Sequence, residues 1–171
     1  AFGKIPLSPN ALGADIITIS AHKIHGPKGV GGIYLKTKNI IKPHMLGGEQ
    51  ESNIFAGTQG TPAIMGFGVA AEEAKDIKEN AEKVTELKNY LVENIKDLKS
   101  VKINSPEDSI PYILNISILG LPSQPIVNFM SERNIQISAG SACKMGHRSP
   151  VLTAMGLDSK IIDSAVRISF S

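Results

Sequence analysis

The spacing of apolar and polar positions divides the chain into three stretches. Two short β-branched runs, 16–19 and 32–35, are typical of strands and enclose a Gly/Pro-rich return over 26–31. From Thr61 to Leu98, apolar residues recur every three or four positions, which predicts helix. After Ser100 the pattern changes to short apolar runs separated by polar turns. The chain therefore predicts an α/β region that ends a larger sheet, followed by a smaller α+β region.

The helical stretch begins at Thr61 and Pro62, a capping hydroxyl followed by a proline suited to the first turn. A continuous helix would exceed about 50 Å at about 1.5 Å per residue, so we expect a bend or a break. The charged residues between the apolar positions, Lys88 among them, predict a solvated face, with a separate coiled coil as the alternative. Because a helix this long can connect two domains, we predict domains at 1–95 and 96–171.

The C-terminal domain is predicted to combine short strands and helices. Ser123, Ser149 and Asp158 are candidate helix starts. The expected strands are 101–103, 113–118, 135–138 and 165–170, and the first expected helix is 121–133. In the last strand, alternation places Val166, Ile168 and Phe170 on one face and Arg167 with Ser169 on the other.

Composition and charge narrow the class of protein. Of the 171 residues, 42% are apolar, which is enough to bury a core. The net charge is +2 and the charged residues are interspersed, so the sequence does not favour binding to nucleic acid or to an anionic membrane surface. The longest apolar stretch, 63–71, is too short to span a bilayer. A single cysteine, Cys143, excludes an intrachain disulfide and indicates a reducing compartment, so we expect a cytoplasmic protein.

Candidate chemistry concentrates first at Lys23, directly after the first predicted strand. At the end of a buried strand, desolvation would disfavour its ammonium form and make the amine a nucleophile toward an aldehyde cofactor, which is Schiff-base chemistry. Ser20 and His22 could donate to an anion such as a phosphate. The alternative is a solvated lysine at a strand end.

A second candidate site is the cysteine loop, residues 138–149. It combines small residues with Cys143, and the nearby Lys144, His147 and Arg148 would favour the reactive thiolate. The alternative is a bystander cysteine. Arg167 could hold a carboxylate with its planar guanidinium or lie in solvent on an edge strand.

Three motifs carry a resemblance to a known family. Residues 20–31, S-A-H-K-I-H-G-P-K-G-V-G, resemble the pyridoxal phosphate (PLP) lysine segment of the cysteine desulfurases, in the class V aminotransferase superfamily. Residues 138–143 are similar to the persulfide-cysteine motif S-x-G-S-A-C, and 166–169 to the closing V-R-x-S. The resemblance implies the end of a fold-type-I PLP-transferase large domain, joined by a long helix to a small α+β domain that holds the catalytic cysteine.

The same resemblance implies roles for single residues. Lys23 would bind PLP covalently, Ser20 and His22 would hold its phosphate, Cys143 would carry the persulfide and Arg167 the substrate α-carboxylate. The loop 47–58 is similar to the family's G-G-G-x-E-x-x-x-R-x-G-T, in which the last residue, here Thr58, reaches the PLP phosphate of a partner subunit. Departures from the family pattern are Glu49, Ser52, Phe55 and a cysteine loop two residues shorter than the common one.

The implied activity is PLP-dependent removal of sulfur from L-cysteine, giving L-alanine and a Cys143 persulfide for iron–sulfur cluster assembly or tRNA thiolation. The implied partners are a second subunit and an iron–sulfur scaffold or other sulfur acceptor, with no metal, nucleic acid or membrane. Alternatives are a selenocysteine lyase or other class V PLP enzyme, and a non-catalytic fragment that serves dimerisation or sulfur-acceptor docking. The family's ring-binding D-A-x-Q motif would immediately precede residue 1, so we expect about half of a desulfurase to be missing.

Overall fold

The structure is a computed structural model that describes residues 1–37, 41–43, 45–139 and 148–170. Contacts divide the chain into two compact units, Ala1–Asn80 and Ala81–Ser171, called here the first unit and the second unit. Each unit mixes helices with a small antiparallel sheet. The predicted combination of an α/β region with an α+β region is confirmed, while the domain boundary near residue 95 stays a prediction.

The first unit is built around a hairpin of two strands. Its strands β1 (Ile16–Ser20) and β2 (Gly31–Leu35) pair antiparallel, with Ile16 opposite Leu35 and Ser20 opposite Gly31. The predicted positions of both strands are confirmed. The helices of this unit are the short α1 (Pro9–Leu12), the single turn α2 (Gln50–Asn53) and α3 (Thr61–Glu73).

The prediction that β1 is a buried strand is wrong for the described chain. Its side chains alternate between exposed and half-buried, and Ile16 is 42% exposed. The described sheet of this unit contains two strands, and near Gly32 it approaches Ile19 and the ring of Phe67 on α3. A two-stranded sheet packed in this way leaves alternate apolar side chains such as Ile33, which is 48% exposed, in solvent.

The long helical stretch is broken, as predicted. Helix α3 ends at Glu73, and α4 (Ile77–Ile95) begins after a three-residue interruption and continues from the first unit into the second. Pro62 lies in the first turn of α3, but the capping role predicted for Thr61 is wrong. Because Thr61 is already inside the helix, its hydroxyl donates to the Gln59 carbonyl oxygen, at 3.4 Å, and Gly60 occupies the cap position.

The second unit contains a three-stranded antiparallel sheet in the order β3-β4-β5. Its strands are β3 (Val101–Ile103), β4 (Ile113–Ile118) and β5 (Ala165–Ser169), and its further helices are α5 (Ser123–Ser131), α6 (Pro150–Ala154) and α7 (Ser159–Asp163). Ser149 and Asp158 cap α6 and α7, as predicted. Ser123 does not cap α5, because it lies in the first turn after Pro122. The predicted strand 135–138 is reduced to one bridge, between Ser138 and Arg167.

Apolar side chains cover both faces of this sheet. Leu114, Ile116 and Val166 form one core with Ile126 of α5, and Leu91, Val92 and Ile95 of α4 pack against it. On the opposite face, Ala165 packs with Leu152 of α6 and Ile162 of α7. The alternation predicted for the last strand is confirmed, since Ile168 and Phe170 join Val166 at the first core.

Lys88 departs from the predicted solvated face of α4. Its ammonium donates to Ser109 Oγ at 2.8 Å and to the carbonyl oxygens of Ser109 and Ile110. Burial lowers the pKa of Lys88. Lys88 follows the buried Val84 by four residues and therefore shares its side of the helix, whereas Leu87 is 55% exposed.

Candidate active site

Lys23 lies in a single 3-10 turn, Ala21–Ile24, that directly follows β1. The turn is anchored by its first and last residues, since Ala21 and Ile24 are 0% and 3% exposed. It closes with His25 in the left-handed region, whose N–H donates to the Ala21 carbonyl oxygen. The two residues between the anchors, His22 and Lys23, are therefore directed outward.

Close backbone approach holds this turn in place. A Cβ atom at Gly26 would lie 3.0 Å from the Ala21 methyl group and 3.1 Å from that of Ala70 on α3, so a side chain there would crowd both. At Gly31, the start of β2, a Cβ atom would lie 2.5 Å from the Ile19 carbonyl oxygen. The glycines of this segment are thus required where the return passes close to β1 and to the lysine turn.

The side chains of Ser20, His22 and Lys23 are exposed, and within the described ranges none of them has a hydrogen-bond or ion-pair partner. The desolvation expected for Lys23 is wrong in this structure, because burial falls on Ala21 and Ile24 instead. A hydroxyl, an imidazole and an amine on four consecutive residues fit a ligand with one phosphate and one aldehyde. The donor set therefore suits PLP.

Thr58 lies in a groove of the first unit. It lines a groove of about 790 Å³ with Ile19, the 29–33 segment, Phe55 and Ile64, and the lysine turn does not contribute to this lining. The structure therefore does not bring Thr58 together with Lys23 at this groove.

The chain that leads to Thr58 has unusual backbone geometry. Glu51, Ser52 and Asn53 have φ angles of 50°, 59° and 64°, three consecutive non-glycine residues in the left-handed region. Side chains of the same turn tie down the following residues, because Gln50 Oε1 accepts from the Gly57 N–H and Glu51 Oε1 from Gln59 Nε2. Strained backbone of this kind is concentrated at functional sites in proteins.

Arg167 and the start of the cysteine loop lie side by side in the second unit. The Arg167 N–H donates to the Ser138 carbonyl oxygen at 2.7 Å, and the Ser138 N–H donates back at 3.1 Å. Arg167 is half-buried, and its Nε atom is buried without a hydrogen-bond partner in the described chain. The structure thus brings Arg167 to the first residue of the motif, while the predicted persulfide residue Cys143 lies outside the described residues.

Arg148 closes the other end of the cysteine loop. Its Nε and Nη2 atoms donate to the two carboxylate oxygens of Asp163 on α7, each at 2.7 Å. This hydrogen-bonded pair lowers the pKa of the Asp163 carboxyl group. The guanidinium charge is compensated, so Arg148 supplies less positive potential to the thiol than its sequence position suggests. Lys144 and His147 lie outside the described residues.

Sequence reasoning missed a polar network on the second unit's sheet. Asn104 Nδ2 donates to Asn115 Oδ1 and to Ser117 Oγ, both at 2.8 Å. Ser117 Oγ in turn donates to the Ile161 carbonyl oxygen at 2.7 Å. The alternation in 113–118 could have indicated this network, because it places Asn115 and Ser117 together on the face opposite Leu114 and Ile116.

Comparison with known proteins assigns the chain to a family. Residues 1–171 match the family described as Aminotransferase class-V, and the chain belongs to it. The chain is 36% identical to the cysteine desulfurase IscS of Vibrio campbellii, over 98% of this chain and 43% of that protein. The chain thus spans less than half the length of this relative.

Solved structures show the same fold. A structure titled NifS-like protein superposes with a TM-score of 0.87 at 36% identity, over 99% of this chain and 44% of that one. A second, titled SspA in complex with cysteine, gives a TM-score of 0.76 at 31% identity, over 99% and 48%. The fold of the chain is therefore the α/β fold of the NifS-like proteins.

Class V aminotransferases and cysteine desulfurases are PLP enzymes. None of the helices in the described ranges combines the length and the apolar composition that spanning a bilayer requires.

Proposed function

We propose that the full-length protein is a PLP-dependent cysteine desulfurase that converts L-cysteine to L-alanine and leaves the sulfur as a persulfide on Cys143. The observation that carries this proposal is the lysine turn, where buried residues 21 and 24 direct His22 and Lys23 outward beside Ser20. The proposal is supported by the 36% identity to a cysteine desulfurase over 98% of the chain.

Residues of the first unit would hold the cofactor. Lys23 Nζ would bind PLP covalently, and Ser20 Oγ and His22 would donate hydrogen bonds to its phosphate. When bound, PLP supplies an electron sink for the carbon that loses its proton. The Lys23 amine would also move the substrate α-proton. Thr58, in a homodimer, would donate to the phosphate bound by the partner subunit.

Residues of the second unit would hold and attack the substrate. The Arg167 guanidinium would bind the α-carboxylate in a bidentate manner. The Cys143 thiolate would attack the substrate sulfur, so that an S–S bond forms as the Cβ–S bond breaks. The electron pair of the broken bond stays with the carbon fragment, which leaves as L-alanine after protonation.

The persulfide sulfur would pass to a protein acceptor, either an iron–sulfur scaffold or a component of tRNA thiolation. A thiol that must stay reduced between turnovers suits a reducing compartment such as the cytoplasm.

The test is the full-length protein reconstituted with PLP and supplied with L-cysteine and a reductant. We expect L-alanine and sulfide in equal amounts. Cys143→Ser should still bind L-cysteine but release no sulfide, because the attacking thiolate is gone. Undiminished sulfide release by Cys143→Ser would refute the assigned role of Cys143.

Arg167→Ala should mainly raise KM for L-cysteine, by about tenfold or more, because it removes a charged hydrogen-bond donor to the carboxylate. Arg133→Ala is the matched control, since it removes the same charge from the end of α5, where Arg133 contacts Phe129. An unchanged KM in Arg167→Ala would contradict the carboxylate role.

A further inference from the structure

Four polar residues form a row across the sheet of the second unit. Asn104 follows β3, and its N–H donates to the carbonyl oxygen of Asn115 on β4 at 2.9 Å. Asn115 is the register partner of Arg167 on β5, and Arg167 bridges to Ser138. Because register partners in an antiparallel sheet share a face, Asn115 and Arg167 lie next to each other on the face opposite Ile116 and Val166.

Hydrogen bonds fix the orientation of the Asn115 amide. The Ser117 hydroxyl donates its hydrogen to the Ile161 carbonyl, so its oxygen must accept from Asn104, which requires the Asn104 amide nitrogen. That nitrogen also donates to Asn115, which requires the Asn115 oxygen to face Asn104. Asn104 is 7% exposed and Ser117 is fully buried, so the orientation is held by interior residues.

With the Asn115 oxygen bonded to Asn104, its amide nitrogen is left for another acceptor, and Arg167 is the register neighbour of Asn115 on the other adjacent strand, β5. This nitrogen donates to no acceptor in the part of the chain that the structure describes. Arg167 forms no ion pair in the same ranges, and its Nε lacks an acceptor. Two adjacent groups that can only donate, without an acceptor between them, are complementary to a carboxylate.

We propose that Asn115 is a second carboxylate-binding residue, whose amide nitrogen donates to the same substrate carboxylate that Arg167 binds, with Asn104 as the residue that orients it. The inference rests on the proposed function, because it takes the substrate to be an α-amino acid. It assigns to this row the discrimination between an amino acid and the corresponding amine, since a ligand that lacks the carboxylate leaves the donors of Arg167 and Asn115 without an acceptor.

The test compares L-cysteine with cysteamine, which has the same amine and thiol but no carboxylate. Binding to the full-length, PLP-loaded protein is measured by calorimetry in a Cys143→Ser background, so that the ligand is not consumed. Asn115→Asp retains an oxygen that accepts from Asn104 but replaces the donor with an anionic oxygen. We expect its Kd for L-cysteine to rise about tenfold or more and its Kd for cysteamine to stay within about twofold.

The matched control is Asn94→Asp, the same change on the exposed side of α4, where both Kd values should be unchanged. Asn115→Ala provides a second variant, which should weaken L-cysteine less than Asn115→Asp does because it adds no repulsion. Equal weakening of both ligands would show a structural role for Asn115 and overturn the inference, as would unchanged binding of L-cysteine.

The same series separates this inference from the proposed function. If Arg167→Ala weakens L-cysteine and the Asn115 variants do not, the inference alone fails. If the parent protein binds neither L-cysteine nor cysteamine, the proposed function fails as well.

Discussion

The two units differ in how far each one buries its own apolar side chains. Among the described residues of the first unit, the buried apolar ones are Ala21, Ile24, Ala56 and Ala70, three of them alanines. In the second, they include Leu114, Ile116, Val166, Leu152 and Ile162, packed on both faces of a three-stranded sheet. Because burial of large aliphatic side chains contributes about 1.5–3 kcal/mol each, the second unit has much the larger internal source of stability.

The proposed cofactor-binding lysine and the proposed substrate-binding arginine also lie in different surroundings. Lys23 lies on an exposed turn next to a hairpin, whereas Arg167 lies on a strand of a sheet whose faces are both covered. We infer that the arginine and the row beside it keep their geometry within the second unit, and that the lysine turn depends on further packing to form a complete cofactor site.

The largest expected effect follows from this dependence. We predict that the 171-residue chain alone binds PLP weakly and has negligible desulfurase activity, because it spans 43% of the length of the similar cysteine desulfurase and leaves Lys23 on an exposed turn. The measurement is L-alanine and sulfide production with PLP, L-cysteine and a reductant, beside the full-length protein. Turnover equal to that of the full-length protein would contradict the prediction.

A smaller effect concerns stability within each unit. Leu114→Ala in the 171-residue chain should lower the free energy of unfolding of the second unit by about 2–5 kcal/mol, because Leu114 is fully buried. Ile33→Ala in the first unit should cost less than about 1 kcal/mol, since Ile33 is 48% exposed.

Hydrogen exchange resolves the two units in that experiment. Amides of β4 should be better protected than those of β1 in the unmutated chain, and Leu114→Ala should accelerate exchange in β4. Equal protection of the two strands would show that the units do not differ in stability.

The smallest effect is the acid dependence of the Arg148 and Asp163 pair. Hydrogen bonding to Arg148 lowers the pKa of Asp163, so its stabilisation is present above its unfolded pKa, about 4, and is lost as pH falls through the lowered folded value. Asp163→Asn should therefore lower the thermal midpoint at pH 7 and have a smaller effect near pH 3. Asp108→Asn, on an exposed turn, is the control. If Asp163→Asn lowered the thermal midpoint equally at both pH values, the pair would not be the source of the stabilisation.

The sequence predicted most elements because their signals are local. The β-branched runs set β1 and β2, and the side chains of Ser149 and Asp158 cap the helices that follow them. The prediction failed for Lys88, whose burial is determined by tertiary contacts. Lys88 is buried because the chain at 109–110 supplies three oxygen acceptors, and no local pattern reveals that segment.

The sequence predicted only those residues of the candidate site that belong to recognisable motifs. The motifs named Ser20, His22, Lys23, Thr58, Cys143 and Arg167, and their roles remain proposals. They did not reveal the compensation of Arg148 by Asp163, which is fifteen residues away, nor the row that places Asn115 beside Arg167. Both depend on sheet register and helix packing, which a linear pattern does not specify.

The central claim is that Lys23 is the residue that binds PLP. Its most direct test is borohydride reduction of the full-length, PLP-loaded protein, followed by mass mapping of the modified peptide. We predict that the label is on Lys23, that Lys23→Ala carries no covalent PLP, and that Lys28→Ala, an exposed lysine of the same return, is labelled like the unmutated protein. Covalent PLP on Lys23→Ala, or a label on another lysine in the unmutated protein, would contradict the account.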